Sequence, residues 1–483
     1  NTTNFVHMTK FINSLKEKHG VNMTFDILKK ELNKKDVNNN HVYNLSIKED
    51  NDLFIVYYDN LTSKINNISE LEKNTKSCIF EKSSLLPISS QYNKFFYNKD
   101  AEEIVRKNPW KNIIVEKCYE GTVLVLFYYK KWYLSTRRCL DANESSWIKN
   151  KSYKDMFDES IRNKFKLDDL DKNLCYYFIL IHHKNKNIIN YSNCGFGENY
   201  KELIHFSTTK KFTLEPIEYT ISNVKKTEQV SFHNFEELLE KVNNINEMNI
   251  NRKIITMEGF ILKVYNNSEH TGQFQILKIQ TQIYQTLMKI KPNNSNINQS
   301  YLELYQNDKL SEYLPYFSKY NNDIIKRIHM SMRTVSKEIL DLYHGTRQKK
   351  NPEVYKSLKE QYKKVLYGLH GLFISFRKPN YNKDNVDANT QQRSITVHDI
   401  YHFLKNLSPS QLRQVFYERY YMVENNINTS FFNTDCIYTM TLTTLMFQNM
   451  KKPKITKQQI INNNDSKNTL NINDNKKIIV EVG

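Results

Sequence analysis

The sequence lacks features that would assign it quickly to a functional class. No uninterrupted apolar run approaches the ~18 residues of a membrane span, which excludes a membrane-spanning protein. No two cysteines are spaced as C-x-x-C, so neither a disulfide framework nor a structural zinc site is indicated. Glycine is scarce, and Gly195-Phe196-Gly197 is not followed by the third glycine of a dinucleotide-binding loop. We therefore expect a soluble globular protein in a reducing compartment.

The composition also bears on where the protein functions. Asn, Lys, Ile and Tyr are abundant, which is typical of translation from an AT-rich genome. Residues 1–7 contain no apolar signal segment. We expect an intracellular, cytoplasmic protein of an AT-rich virus or of its host.

The chain is strongly basic, with 70 Lys and Arg residues against 52 Asp and Glu and a formal net charge of +18. Such an excess attracts polyanions and favours nucleic acid as a partner. The alternative is that mutational bias towards lysine produces a solvated basic surface that has no partner.

The pattern of apolar residues changes along the chain, and 483 residues are too many for a single core. Up to about 290, short β-branched and aromatic runs predict an α+β domain built on antiparallel sheets. Residues 295–423 show helical spacing and predict an all-helical domain. Residues 424–483 predict a linker and a flexible tail. The clearest strands are expected at 113–115, 123–129, 132–135, 175–181, 188–191, 254–265 and 274–279, and helices at 153–166 and 235–246, the latter capped by Asn234.

Several short motifs follow one another through the α+β part, in a fixed order and at plausible separations. The central motif is Ile113-Ile114-Val115-Glu116-Lys117-Cys118-Tyr119-Glu120-Gly121-Thr122. The others are Lys76 to Glu81, Gln91 to Asn98, Thr136-Arg137-Arg138, Tyr177 to Ile189, Glu258-Gly259-Phe260-Ile261 and Leu277-Lys278-Ile279-Gln280-Thr281.

In this order, the motifs resemble those of the RNA ligase 1 family of T-even phages and large DNA viruses, over roughly 70 to 290. The family belongs to the covalent nucleotidyltransferases, which attach a nucleotide to a lysine in the pattern Lys-x-Asp-Gly. The resemblance implies a ligase-like nucleotidyltransferase domain over 1–290, with RNA as partner and with ATP and Mg²⁺ as cofactors.

The resemblance also implies roles for individual residues. Lys117 would accept AMP, because the attacking group must be an amine. Glu120 would hold the ribose or a divalent ion, and Glu258 would bind the cofactor and the metal. The predicted cofactor-binding cations are Lys76, Arg137 and Lys278, which would bind phosphates.

The sequence departs from the family pattern at several of these positions. Counting back from Gly121, Cys118 occupies the lysine position, unless a one-residue bulge turns Lys117 into the pocket. Ile179 replaces a glutamate, Gln280 replaces a lysine and Lys76 replaces an arginine. A cysteine nucleophile is disfavoured, because the phosphoramidate link requires nitrogen.

Two functions remain open. One is an ATP-dependent RNA ligase that joins RNA ends through a lysyl-AMP intermediate on Lys117. The other is a catalytically degenerate ligase-fold protein, a pseudoenzyme that binds RNA or acts as a scaffold. An mRNA capping enzyme would have an oligonucleotide-binding β-barrel directly after Lys278, and the helical pattern there argues against it.

Overall fold

The computed structural model describes residues 7–58, 69–92, 94–185, 187–318, 321–347, 351–377 and 393–447. Within these ranges, no helix combines the length and the apolar content that a membrane crossing requires.

In the described part of the chain, the strands lie before residue 281 and helices dominate after them. In chain order the strands are β1 (Leu45–Glu49), β2 (Leu53–Tyr58), β3 (Cys78–Glu81), β4 (Pro87–Ser90), β5 (Phe95–Tyr97), β6 (Ile113–Lys117), β7 (Thr122–Tyr129), β8 (Lys131–Ser135), β9 (Leu174–His182), β10 (Lys201–Lys210), β11 (Lys225–Lys226), β12 (Gly259–Tyr265) and β13 (Phe274–Gln280). The α-helices are α1 (His7–His19), α2 (Phe25–Leu32), α3 (Glu70–Asn74), α4 (Asn98–Arg106), α5 (Tyr153–Ile161), α6 (Phe235–Arg252), α7 (Gln282–Ile290), α8 (Ile297–Gln306), α9 (Leu310–Tyr313), α10 (Asn321–Arg347), α11 (Pro352–Ser357), α12 (Glu360–Ser375), α13 (Val397–Lys405), α14 (Pro409–Glu424) and α15 (Ile437–Phe447). The predicted fold class, α+β with antiparallel sheets followed by a helical region, is confirmed.

Two of the three sheets that the described residues form pack against each other. The first has the strand order β1-β2-β3-β4, and the second has the order β11-β10-β9-β7-β8. Ile55 and Ile79 of the first sheet share a core with Val125 and Tyr177 of the second. Strand β9 is buried along its whole length, because α5 and its neighbours cover its other face. This explains why its sequence is almost continuously apolar instead of alternating.

The third sheet has the order β5-β13-β12-β6 and carries the residues of interest. One face packs on α4 and α6, through Ala101, Leu238, Leu262 and Leu277. Helix α6 begins where predicted, because the Asn234 side chain accepts a hydrogen bond from the Glu237 N–H at 2.9 Å. The other face of this sheet carries polar and charged side chains.

The strand predicted at 188–191 is not formed. Ile188 and Ile189 donate their backbone N–H groups to the Glu120 carboxylate instead of to a neighbouring strand, and a 3₁₀ turn follows at Tyr191–Cys194. The carboxylate thus accepts the hydrogen bonds of these buried N–H groups, so this apolar run forms a loop instead of a strand.

The described residues divide into two compact units: residues up to 333 together with 401–410, and the remainder. The division lies within α10, whereas the predicted boundary at 290 to 295 marks the change from strands to helices. Helix α15 lies within the predicted linker and tail of 424–483, and Leu442 and Met446 on it are buried. The residues predicted as linker thus form a helix over 437–447, whose buried side combines Thr439 and Thr443 with Leu442 and Met446, so its apolar residues alone show no helical period. Residues 448–483 lie outside the described residues.

We expect a buried histidine at the end of β9 to make the stability of the fold sensitive to acid. His182 is fully buried; its Nδ1 accepts the Lys184 N–H at 3.2 Å and its Nε2 lies 3.2 Å from Glu159, so the ring is neutral. Glu159 is also paired with Lys151 and Lys201. Burial lowers the pKa of His182 from 6.5 to about 4.

We expect the free energy of unfolding to fall as the pH drops from 6.5 towards 4. In that window, His182 binds a proton in the unfolded chain but not in the folded protein. This difference lowers the free energy of unfolding by up to ~3 kcal/mol at the acidic end. Urea unfolding of wild type and His182→Gln at pH 7 and pH 4.5 measures this. The variant should lose less stability than wild type, and equal losses would contradict the assignment. His205, whose pKa burial also lowers to about 4, titrates in both proteins and cancels in the difference.

Candidate functional site

The register of the third sheet decides which side chains meet. Strand β12 pairs with β6 and β13, so that residues opposite each other point to the same face. One row contains Lys117, Phe260 and Ile279. The adjacent row contains Glu116, Ile261 and Lys278. Lys117 and Lys278 therefore point to opposite faces of the sheet.

The predicted bulge that would turn Lys117 into the pocket is not present. The pairing of β12 with β6 runs without a shift over Ile113–Lys117, and the Cys118 N–H continues it to the Gly259 carbonyl at 3.1 Å. Lys117 lies on the face of Phe260, and its Nζ is 5.5 Å from the centroid of the Tyr119 ring. Cys118 points to the polar face.

Polar side chains converge around one carboxylate on this face. Glu258 is buried and accepts hydrogen bonds from Cys118 Sγ at 3.2 Å, Lys278 Nζ at 3.1 Å and Gln280 Nε2 at 2.8 Å. Burial and the Glu258 carboxylate raise the pKa of the Cys118 thiol well above its ordinary value. The thiol is therefore protonated at neutral pH and donates to Glu258. We call Lys76, Cys118, Arg137, Glu258, Lys278 and Gln280 the Glu258 cluster.

Two further cations complete this cluster. The ammonium groups of Lys76 and Lys278 lie 4.3 and 5.1 Å from the centroid of the same ring, Phe95. Arg137 donates to the backbone carbonyls of Tyr58 at 2.9 Å and Lys76 at 3.4 Å. Burial, with Lys278 and Arg137 close by, lowers the pKa of Lys76 to about 8. The cluster thus concentrates positive charge around a single carboxylate.

Glu120 is not part of this network. Its carboxylate accepts the N–H groups of Ile188 at 3.2 Å and Ile189 at 2.8 Å. Its own backbone is held by the Tyr191 hydroxyl, which accepts the Glu120 N–H and donates to the Glu120 carbonyl. Burial raises the pKa of the Glu120 carboxyl, although the two N–H groups oppose the shift. Glu120 organises the loop after β9.

Two glycines permit close approach of chains at the site. A Cβ at Gly121 would lie 2.5 Å from the Leu180 carbonyl oxygen and 2.6 Å from Ile179 Cγ2. A Cβ at Gly259 would lie 2.0 Å from the Ile279 carbonyl oxygen. No other residue type fits either position without displacing backbone. Ile179, which replaces an expected glutamate, fills the space beside Gly121 with a methyl group.

The predicted metal ligands do not fit a resident Mg²⁺. Glu258 is already paired with Lys278, and Glu120 binds backbone N–H groups. Across the described ranges, no three His, Cys, Asp or Glu side chains come together in a group that could hold a metal ion. The donor set is thus poor in the free oxygens that Mg²⁺ requires.

Asn98 ends the Gln91 to Asn98 motif, but the sequence assigned it no role at the site. It accepts the Gln280 N–H at 2.9 Å and donates to Gln280 Oε1 at 3.1 Å, which aims the amide nitrogen of Gln280 at Glu258. Asn98 begins α4 with a φ of +49°, a conformation that asparagine tolerates better than most residues. The asparagine in Tyr97-Asn98 at a strand-to-helix junction was the available signal.

The comparisons with known sequences cover a limited part of the chain. No family model matches it. Over 142 residues it is 31% identical to a protein of Invertebrate iridescent virus 3 described as "Immediate-early protein ICP-46 homolog". The match covers 26% of this chain and 32% of that protein, so the chain spans about a third of this relative.

Three solved structures with ligase titles are similar to this chain. Two structures titled "Archaeal ATP-dependent RNA ligase", forms 1 and 2, align with 67% of this chain and 82% of theirs, at 9% and 10% identity and a TM-score of 0.39 each. A putative ATP-dependent DNA ligase from Aquifex aeolicus aligns with 69% of this chain and 76% of its own, at 15% identity and a TM-score of 0.34. The narrower resemblance to the RNA ligase 1 family stays a prediction.

Proposed function

We propose that this protein binds RNA through a ligase-like domain that does not form a lysyl-AMP intermediate. In this proposal, the Glu258 cluster binds a phosphate of the RNA. This is the second of the two functions that the sequence left open.

One observation carries the proposal: Cys118, and not Lys117, contacts Glu258. A covalent nucleotidyltransferase needs an amine beside the groups that bind the α-phosphate, because the amine nitrogen attacks phosphorus. Lys117 points to the opposite face of the sheet from Lys278. A buried, protonated thiol occupies the attacking position, and it is bonded to the carboxylate rather than aimed outward.

The charges of the cluster support phosphate as the ligand. Among the described residues, the cluster holds the three cations Lys76, Arg137 and Lys278 and the carboxylate of Glu258, and an anion relieves the repulsion among the cations. Lysine and arginine are the usual phosphate-binding residues, and charge-assisted hydrogen bonds are the stronger kind. The phosphates of ATP have the same chemistry, so a nucleotide competes with RNA for these groups.

The competing proposal is the ATP-dependent RNA ligase. Its form with Lys117 as nucleophile requires that lysine to change faces. A second form is favoured by the position of Lys76, an amine of the cluster itself. In that form, the neutral Lys76 nitrogen attacks the α-phosphorus of ATP, a P–N bond forms, pyrophosphate leaves and the nitrogen releases a proton.

Labelling with α-³²P-ATP and magnesium distinguishes these proposals. We expect no label that survives denaturation on wild type, because Lys117 lies on the opposite face of the sheet and Lys76 serves to bind a phosphate. In parallel, the affinity for a single-stranded RNA is measured by fluorescence anisotropy at several salt concentrations. It should fall steeply as salt rises, since each neutralised phosphate releases counterions.

A positive labelling result is interpreted with three variants: Lys117→Ala, Lys76→Met and, as an exposed control, Lys111→Ala. Label that disappears in Lys117→Ala alone would establish the ligase on Lys117 and overturn the proposal. Label lost in Lys76→Met alone would overturn it in favour of the second form. RNA affinity that does not depend on salt would remove phosphate binding as its basis.

A further inference from the structure

Helix α12, in the second unit, has one side in the core and leaves the other side open. The core side carries Tyr362, Val365, Leu366 and Leu369, at the spacing of an amphipathic helix. The opposite side, which we call the α12 face, consists of Glu360, Lys364, Tyr367, Gly371 and Ile374. Tyr367 is 74% exposed and Ile374 is 45% exposed, so large apolar side chains lie open on this face. Such a surface is typical of a contact with another protein.

Gly371 makes a gap in the α12 face. A Cβ built there would meet open space, with no heavy atom within 4 Å outside its chain neighbours and the backbone of its own helix. Apart from proline, glycine is the least favourable residue in the interior of a helix, so it weakens α12 without improving the packing within the described part of the chain. What glycine permits is the close approach of another chain or of a large side chain. The exposed ring of Tyr367 lies one turn away on the same face.

The α12 face is complementary to a second copy of itself. When two copies of α12 lie antiparallel and cross at the level of Leu369, residues equally far before and after Leu369 come level with each other. Tyr367 of one copy then reaches Gly371 of the other, so each exposed ring fills the gap of the other copy. Lys364 comes level with Ile374 in the same way, and its methylene stem covers that side chain. Both contacts occur twice, because a two-fold axis relates the copies.

The charges along α12 favour the same antiparallel arrangement. Glu360 begins the helix and pairs with Lys364 at 3.4 Å, and both side chains are exposed. Arg377 follows the end of the helix and is also exposed, with its guanidinium 4.1 Å from the centroid of the Phe373 ring. In the antiparallel pair, Glu360 of each copy comes level with Arg377 of the other to within one residue. Lys364 also approaches the carboxyl end of the other helix, where the helix dipole attracts a cation.

We propose that two copies of this chain associate through their α12 faces as a symmetric, antiparallel pair of helices. The proposal concerns the second unit and does not depend on RNA binding. One helix from each copy buries less than the ~1,200 Å² at which stable complexes begin, so we expect a dissociation constant of about 10–100 µM. Association is therefore read from its dependence on concentration.

Sedimentation velocity of the full chain between about 1 and 300 µM tests the proposal, and wild type should change from monomer to dimer. Gly371→Leu should weaken the dimer at least about tenfold, because its side chain fills the gap that receives Tyr367. The same variant should melt no lower than wild type, since leucine favours a helix more than glycine does. Tyr367→Ser should weaken the dimer to a similar extent. Tyr420→Ser, at a tyrosine on α14 that is 38% exposed, is the control and should stay within about twofold of wild type.

Charge reversal shows whether the occupant of the face is a second copy. Glu360→Arg and Arg377→Glu should each dimerise poorly alone, because like charges then meet at both ends of the pair. An equimolar mixture of the two variants should form dimers, because each end again joins an arginine to a glutamate. Wild type that stays monomeric over the whole range, or assembles beyond a dimer, would overturn the proposal. So would Gly371→Leu and Tyr367→Ser that dimerise as tightly as wild type, or a mixture that associates no better than its separate components.

Discussion

Replacing Lys76 by Met is expected to weaken RNA binding about 10- to 150-fold and, at the same time, to stabilise the folded protein. Charge-assisted hydrogen bonds contribute ~1.5–3 kcal/mol each, so losing one phosphate contact lowers affinity by about that amount. The stabilisation has a separate cause. Lys76 is partly buried beside Lys278 and Arg137, and its lowered pKa of about 8 shows that the fold disfavours its charge.

The pH dependence of stability provides an independent check on Lys76. Between about pH 8 and its ordinary value of 10.5, unfolded Lys76 carries a proton that the folded residue has lost. Wild type should therefore gain stability as the pH rises through this window, and Lys76→Met should not show that part of the gain. The exposed control Lys111→Ala should match wild type in stability and in its pH dependence. RNA binding unchanged in Lys76→Met would remove this lysine from the site.

The contrast between Lys117 and Cys118 shows what the sequence could and could not decide. The motif around Gly121 located the strand correctly, and alternation along a strand already required the two residues to point in opposite directions. Which of them faced the pocket depended on a bulge, a property of the pairing between β6 and β12. Residues 140 positions apart, such as Cys118 and Glu258, fix that pairing, and local pattern does not report it.

The fold was more predictable than the site. Buried strands such as β7 and β9 have compositions that favour strands wherever they lie, and Asn234 marks a helix start by its own chemistry. The Ile188–Tyr191 run was misassigned because its N–H groups bind a carboxylate from a distant loop. A cavity lined by Asn185 could not be predicted from the sequence either, because its lining comes from the loop after β9 and from residues near 291 and 313.

The largest expected loss of stability comes from Arg419→Met in the second unit. Arg419 is 1% exposed and donates two hydrogen bonds of 2.7 Å to Glu338, which is also buried. Removing the arginine leaves Glu338 buried without its charge partner, and the backbone N–H of Asn433 remains as its donor at 2.7 Å. Breaking one side of such a pair costs ~3–5 kcal/mol.

Urea unfolding of single and double variants measures this loss. Arg419→Met combined with Glu338→Leu should recover most of it, because two apolar side chains replace a buried ion pair at little net cost. Recovery should be incomplete, since the Asn433 N–H then lacks its acceptor. Lys356→Met, which breaks an exposed pair with Glu353, should cost less than about 1 kcal/mol. A loss in Arg419→Met as small as that of Lys356→Met would mean that solvent reaches Glu338 and that the pair is not closed.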